Sequence, residues 1–409
     1  MDLQGIFQRG GMLRMALALL AGLASVAYLA ACGGSPAGSQ SGAEPTQQAS
    51  QDQSARPTAT TERAQAPSGS PGTFTKVGDL KESRSAHTAV VLQDGKVFTA
   101  GGRGVAFNFG TGRVQSAEFY DPATGEWTLT DEMSRERNSI ALAVLPDGKV
   151  LVAGGSGGGS AQYATNSAEV WDPATGRWTP TGDTTVPREE AATVVLKDGR
   201  VLVIGGIDDT FIPLKSVETY DVATGKWTPV ASMETARNNH TATLLQDGRV
   251  LVVGGGKLDG PWTSSAEVYD PAADTWSSAG TMPKGRSFHT ATLLKDGRVL
   301  VVGGKGKLRT AEVWDPATNT WTPAGVTQQP RSEHGAGLLS DGRVIVIGGI
   351  GGLASTEIYD PATNSWSGGA NMEGPRYRFG TATLQDGRTL VFGGTGKEGV
   401  LATTEVYSP

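Results

Sequence analysis

The chain has 409 residues, among them 58 glycines, four histidines and a single cysteine, and a formal net charge of −6 at pH 7. One cysteine excludes a disulfide framework or a thiolate metal cluster, and the acidic balance argues against a nucleic-acid partner or an anionic-membrane surface. Abundant glycine and the lack of a helical apolar period beyond the first 31 residues describe an all-β chain of short strands and tight turns.

Arg9 and Arg14 precede an apolar run from Met15 to Leu29, and Leu29-Ala30-Ala31-Cys32 then has the form of a bacterial lipobox. Residues 1–31 are therefore expected to be a lipoprotein signal peptide, with Cys32 acylated as the mature N-terminus. Asp2 is unusual in a basic leader, and a start at Met12 would leave the lipobox intact. Without the leader the balance is 33 basic against 40 acidic residues, a net of −7. Residues 32–72 read as a lipid-anchored disordered linker: they are rich in Ser, Gln, Ala, Thr, Pro and Gly, with no aromatic residue. A tether of this kind has an r.m.s. reach on the order of 35 Å. The expected location is the cell envelope, attached to the membrane by the lipid alone and facing the periplasm or the cell exterior.

Residues 73–409 repeat one unit seven times: R-x-x-(H)-T-A-x-x-L-x-D-G-R-V-L-V-x-G-G, a loop of variable length, then A-E-V-Y-D-P-A-T-G-x-W-T. The leading arginines are Arg84, Arg137, Arg188, Arg237, Arg286, Arg331 and Arg376, so the spacing runs 53, 51, 49, 49, 45 and 45. A period near 50 with four short strand patterns per unit predicts a seven-bladed β-propeller of four-stranded antiparallel blades. The paired glycines (Gly101-Gly102 through Gly393-Gly394), the aromatic position (Tyr120 through Tyr407) and the Trp position (Trp127 through Trp366) keep register. In these elements the unit closely resembles the kelch repeat.

Within a unit, alternation in His240–Leu245 suits an inner strand a, and the apolar run Val250–Val253 suits a strand b covered on both faces. Asp-Gly between them predicts a type I′ hairpin turn. In D-P-A-T-G the last residue should adopt a left-handed conformation that turns strand c into strand d, whose Trp should wedge between blades. The seventh unit stops at Tyr407-Ser408-Pro409 without a strand d, while Phe74-Thr-Lys-Val-Gly78 matches Trp-Thr-Pro-Val-Ala of the third unit. The N-terminal strand is expected to complete the last blade and close the ring.

Positions filled alike in every unit are best explained by the shared fold, so the seven arginines and seven acids (Glu118 through Glu405) read as structural charge partners or caps for the Gly-Gly amides. The histidine column breaks the symmetry: His87, His240, His289 and His334, against Ile140, Ala191 and Phe379. Equivalent positions in adjacent blades should stand about 10 Å apart, whereas a metal needs ligand nitrogens at roughly 2 Å. Buried imidazoles bonded to neighbouring backbone are expected, with no metal. Kelch blades also occur in galactose-oxidase-type copper radical enzymes, and Arg286-Ser-Phe-His289 is similar to their segments. Those enzymes need a cross-linked Cys-Tyr pair and a Tyr beside a copper-binding His; here the residues before the histidines are Ala86, Asn239, Phe288 and Glu333, and the lone cysteine is Cys32. No Gly-x-Ser-x-Gly nucleophile elbow is expected, and no HExxH, P-loop or EF-hand pattern occurs. No catalytic residue and no cofactor is expected.

The loops joining strands b and c run 14, 12, 10 and 10 residues in units 1 to 4, then 6, 6 and 9. The long ones carry off-pattern aromatics, Phe107, Phe109, Tyr163, Phe211 and Trp262, with Arg103 and Lys257 beside them. These seven residues are the candidate ligand-binding set, on the face that the b–c and d–a loops share. The expected partner is an extracytoplasmic protein or glycan, bound by a monomeric propeller. The rival expectation is a carbohydrate-active enzyme, since kelch propellers include sialic-acid mutarotases.

Overall fold

The computed structural model describes residues 71–105, 112–157, 163–256 and 260–409. Cys32, the leader, the linker up to residue 70, Phe107, Phe109 and Lys257 lie outside them. Among the described residues the chain forms seven four-stranded sheets and no helix, so none that is long and apolar enough to cross a membrane. The first sheet runs Thr88–Val91, Val97–Ala100, Ala117–Asp121 and Glu126–Leu129, as strands a to d, and the next five repeat that order. Strand a of each sheet touches strand a of the next, and that of the seventh touches the first, so the sheets are the blades of a closed ring.

The seventh blade is completed by Thr73–Lys76, which pairs antiparallel with Thr404–Ser408. Phe74 stands opposite Tyr407, their rings 5.2 Å apart, where other blades oppose Tyr120 and Trp127 or Tyr220 and Trp227.

The apolar run of strand b is explained by its position: all four of its residues are buried in every blade. The cores lie between blades, one of them joining Phe98 and Ala100 of blade 1 to Leu142, Val150, Val152 and Trp171 of blade 2. The strand d tryptophans add a polar stitch, for example Trp178 Nε1 to the Asp131 carbonyl (2.8 Å), Trp227 to Gly182 (2.8 Å) and Trp321 to Ala279 (2.7 Å), each reaching the preceding blade.

The Asp-Gly hairpins differ from expectation. Gly95 is left-handed (φ +86°), but Asp94 is not, and the Gly95 amide donates to the Leu92 carbonyl while the Leu92 amide donates to that of Lys96. This is a type I turn followed by a glycine bulge, not type I′. The Asp94 carboxylate instead holds the Lys96 amide (3.1 Å) and ammonium (2.8 Å), and Asp198 with Arg200, or Asp386 with Arg388, repeat the arrangement. At the c–d turn the left-handed residue is Gly125, Gly176, Gly225, Asp274, Asn319 or Asn364, as predicted.

Each leading arginine is fully buried and tied within its blade. Arg84 Nη1 donates to the carbonyls of Gly101 and Ser116 (both 3.0 Å), and Nη2 to Glu118 Oε1 (2.6 Å), while Glu118 also accepts the amides of Lys81 (2.7 Å) and Glu82 (3.1 Å). The guanidinium thus caps carbonyls, not the Gly-Gly amides. The first amide stays in its own blade, Gly101 donating to the Ser116 carbonyl, and the second finds the next blade: Gly102 donates to the Arg137 carbonyl and Gly155 to that of Arg188, around to Gly394 and Arg84. A β-carbon on Gly101 would run into the same Arg137 carbonyl, so the first glycine is a close-approach site between blades.

Candidate functional site at the channel mouth

The d–a and b–c segments do emerge on one face, joined by short bridges: Ser85 to Arg103, Asn138 to Ser156, Glu189 to Ile207, Asn238 to Gly256 and Tyr377 to Thr395. The residue after the first member of each of these five bridges, and the equivalent residue in the other two blades, is left-handed: Ala86, Ser139, Glu190, Asn239, Phe288, Glu333 and Arg378, with φ between +49° and +56°. Each of these residues donates its amide to the carbonyl of its counterpart in the preceding blade. The chain of bonds runs Ser139 to Ala86 (3.4 Å), Glu190 to Ser139 (3.1 Å), Asn239 to Glu190 (3.3 Å), Phe288 to Asn239 (3.1 Å), Glu333 to Phe288 (3.0 Å) and Arg378 to Glu333 (3.0 Å), and Ala86 closes it onto Arg378 (2.9 Å). A head-to-tail circle through all seven blades must encircle the axis, so these residues form the mouth of the central channel. Left-handed backbone costs a non-glycine residue about 1–2 kcal/mol, and the ring of bonds offsets it.

The mouth side chains are polar and linked. Glu190 Oε2 accepts from Asn238 Nδ2 (2.7 Å) and Asn239 Nδ2 (2.6 Å). Buried Glu333 receives Arg378 at 2.5 and 3.1 Å. The Phe288 ring carries the Lys305 ammonium 4.4 Å and the Arg378 guanidinium 5.9 Å from its centre. Burial pushes the Glu189 carboxyl above its ordinary value; Ser156, which bonds it, and the charges of Arg113 and Arg103 oppose that shift. Arg113 Nη1 and Asn138 Nδ2 are buried with no hydrogen-bond partner among the described residues.

Of the residues picked from sequence, exposed Arg103 lies at this mouth, within the electrostatic reach of Glu189 together with Arg113. Tyr163 (56%) and Phe211 (54%) stand exposed on their loops. Phe211 is left-handed in a tight turn held by Asp208 Oδ1, which accepts the amides of Thr210 and Ile212 (both 2.9 Å). Trp262 differs: it is half-buried, its ring lies against the Gly306 position of the next blade, and its Nε1 is buried without a partner among the described residues. It serves as wall between two loops. The left-handed ring itself was missed, although its column is conspicuous for holding Ala, Ser, Glu, Asn, Phe, Glu and Arg amid units that otherwise repeat.

The histidines lie between blades. His289 Nε2 meets Thr241 Oγ1 and His334 Nε2 meets Thr290 Oγ1, both at 3.0 Å, so the partner is a hydroxyl of the preceding blade where backbone was expected. At the corresponding positions the preceding blades carry Gly380 and Ala192, which offer no hydroxyl, and both ring nitrogens of His87 and of His240 are buried with no hydrogen-bond partner among the described residues. Burial pushes His87, His240 and His334 down to about 3. Among the described residues no three His, Cys, Asp or Glu side chains stand close enough to share a metal ion.

Comparison with known proteins follows the same lines. The model of the KLHDC2/KLHL20/DRC7 kelch-repeats domain matches residues 72–255 and 140–349, and that of the kelch motif matches residues 330–373. Kelch-like protein terF of Aspergillus terreus is 28% identical over 141 residues, a match spanning 33% of this chain and 30% of that protein. A copper-bound fungal alcohol oxidase of the AA5 family shares the fold (TM-score 0.64, 18% identity) over 83% of this chain and 76% of its own. With two overlapping matches to one family model covering more than half of its length, and seven blades in the register that the repeat predicts, the chain belongs to the kelch-repeat family of β-propellers.

Proposed function

We propose that this protein is a binding module, lipid-anchored through Cys32 outside the cytoplasm, that takes up a protein or glycan on the channel-mouth face of blades 1 to 4. Residues 1–31 serve as signal peptide, 32–72 as linker and 73–409 as the binding propeller. The observation that carries the reading is the mouth ring: the same left-handed backbone in all seven blades carries six different residue types, only Glu being repeated, around the channel mouth. A purely structural ring would have no need of that variety, and left-handed backbone at non-glycine residues suits a ligand site. Exposed Tyr163, Phe211 and Ile212 add apolar anchors on the same face in blades 2 and 3. The role is non-enzymatic, since the acids at the mouth are committed to Asn238, Asn239 and Arg378 or buried.

A glycan array and a pull-down from envelope extract, each run with the wild type and with Glu190→Gln/Tyr163→Ala/Phe211→Ala, test this. The expected result is a ligand retained by the wild type and lost by the variant at an unchanged melting temperature. Retention by the variant would place the site elsewhere, and chemical conversion of an array sugar would favour a carbohydrate-active enzyme. The anchor is tested apart from the ligand. Cys32→Ala should leave the membrane fraction or keep its leader, and a membrane-bound mature protein with an unmodified Cys32 mass would sink it.

A further inference from the structure

On the face opposite the mouth, the c–d turns also link blades. Asn319 Nδ2 donates to the Ser278 carbonyl (3.1 Å), Asn364 Nδ2 to that of Pro323 (3.3 Å), and Asp274 Oδ1 accepts the Ala231 amide (2.9 Å), in each case reaching the preceding blade. Between blades 2 and 3, Thr181 Oγ1 meets Tyr220 Oη (2.7 Å) and the Gly182 amide meets the Gly225 carbonyl (3.1 Å). Between blades 1 and 2 no such turn link forms among the described residues. The turn residue is Gly176, with nothing within 4 Å of where its β-carbon would stand. Thr130, the counterpart of Thr181, spends its hydroxyl on the carbonyls of Ala117 (3.2 Å) and Asp131 (2.8 Å).

A cleft of about 380 Å³ opens there, lined by Leu92, Phe119, Leu129, Trp171, Pro173 and Asp131. This size lies within the range of ligand clefts, about 300–1,000 Å³. Two of its walls are peculiar to blade 1. Phe119 replaces the Val, Thr or Ile of the other six blades, and Leu129, 45% exposed, replaces Pro, Ser, Gly or Lys. Trp171 is 3% exposed and its Nε1 has no partner among the described residues, whereas Trp314, its counterpart in blade 5, donates to Asn319 (3.2 Å). The charge at the rim is one-sided. Among the described residues the only base lining the cleft, Lys96, is bonded to Asp94 (2.8 Å) and stands 5.7 Å from the centre of the Phe119 ring, while the exposed Asp131 carboxylate has no partner.

We propose that this inter-blade cleft is a second binding site, independent of the mouth, for a peptide segment in which a large apolar side chain adjoins a basic one. The apolar group sits against Phe119, Leu129 and Pro173, and the cation meets Asp131. Apolar burial supplies the affinity and the carboxylate supplies the selection between partners.

The test titrates the full chain with N-acetyl-Phe-Arg-amide and with N-acetyl-Phe-Glu-amide, following the Trp171 indole N–H signal assigned through Trp171→Phe. The basic probe should shift that signal saturably and bind about tenfold more tightly than the acidic one. Gly176→Asn, which restores the turn side chain of blade 5 at a left-handed position Asn tolerates, should abolish the shift. Asp131→Asn should remove the preference for the basic probe while leaving residual binding. An unmoved indole signal, equal affinity for both probes, or undiminished binding by Gly176→Asn would each overturn the proposal. None of these outcomes bears on the mouth.

Discussion

A single histidine shows how far blade packing reaches into the chemistry of this chain. The imidazoles of His87, His240 and His334 are held by burial at about 3, and His289 is lowered in the same sense. The native state therefore keeps them neutral at pH values where the unfolded chain, with ordinary values near 6.5, takes up protons. Their contribution is fully present above pH 6.5 and is lost as pH falls from 6.5 toward 3, by about 1.4 kcal/mol per pH unit for each histidine. The turn aspartates Asp198, Asp296 and Asp386, lowered chiefly by their bonds to Arg200, Arg298 and Arg388, act in a separate and more acidic window, below the ordinary carboxylate value. Urea unfolding from pH 7 to 4.5 should show the histidine slope. His240→Phe, which copies Phe379 of blade 7, should remove about one proton's worth of it, and an unchanged slope would mean that His240 titrates freely. The column of four histidines was legible in the sequence. The hydroxyl partners of His289 and His334 were not, because Thr241 and Thr290 belong to the preceding blade and only the packing of neighbouring blades brings them close.

At the scale of the element, strand b was readable because burial on both faces leaves an unbroken apolar signature, and Val250–Val253 can be nothing but a covered strand. The Gly-Gly pair was readable as a motif, but its reason was not. The first glycine makes room for, and the second bonds to, the carbonyl of the next blade's arginine, a residue 35 positions further on in the case of Gly102 and Arg137. The hairpin turn was misread for a related cause. Asp-Gly suits type I′ in isolation, yet here the Asp carboxylate holds the residue two places on, which fixes a type I turn and leaves the left-handed step to glycine alone. The mouth ring lies at the limit of what sequence reveals. Ala86, Ser139 and Phe288 have no intrinsic preference for left-handed backbone and adopt it because each is bonded to its neighbours on both sides. Local propensity therefore pointed away from the very residues that the assembled ring places on the axis.

For the whole molecule, the decisive feature is that the ring is closed by hydrogen bonds between the two ends of the described chain and by no covalent link. Thr73–Lys76 supplies the outer strand of blade 7, Phe74 packs on Tyr407, and the Pro71 carbonyl accepts the Ala370 amide (2.8 Å) and the Tyr407 hydroxyl (3.2 Å). Without this segment, strand c of blade 7 becomes an unpaired edge and Tyr407 loses its aromatic cover, a loss comparable to removing a core aromatic, about 3–5 kcal/mol. A chain begun at Asp79 should therefore melt about 4–7 °C below one begun at Pro71, unfold over a broader denaturant range and aggregate on heating. The loss should fall first on blade 7, which is next to blade 1, where Trp127 Nε1 reaches back to Thr404 Oγ1 (3.0 Å). Hydrogen exchange should accordingly find Val391 and Val406 deprotected in the shorter chain while Val252 and Val301 keep their protection. Superimposable melting and exchange for the two chains would mean that six and three-quarter blades suffice and that the closing strand contributes nothing to stability.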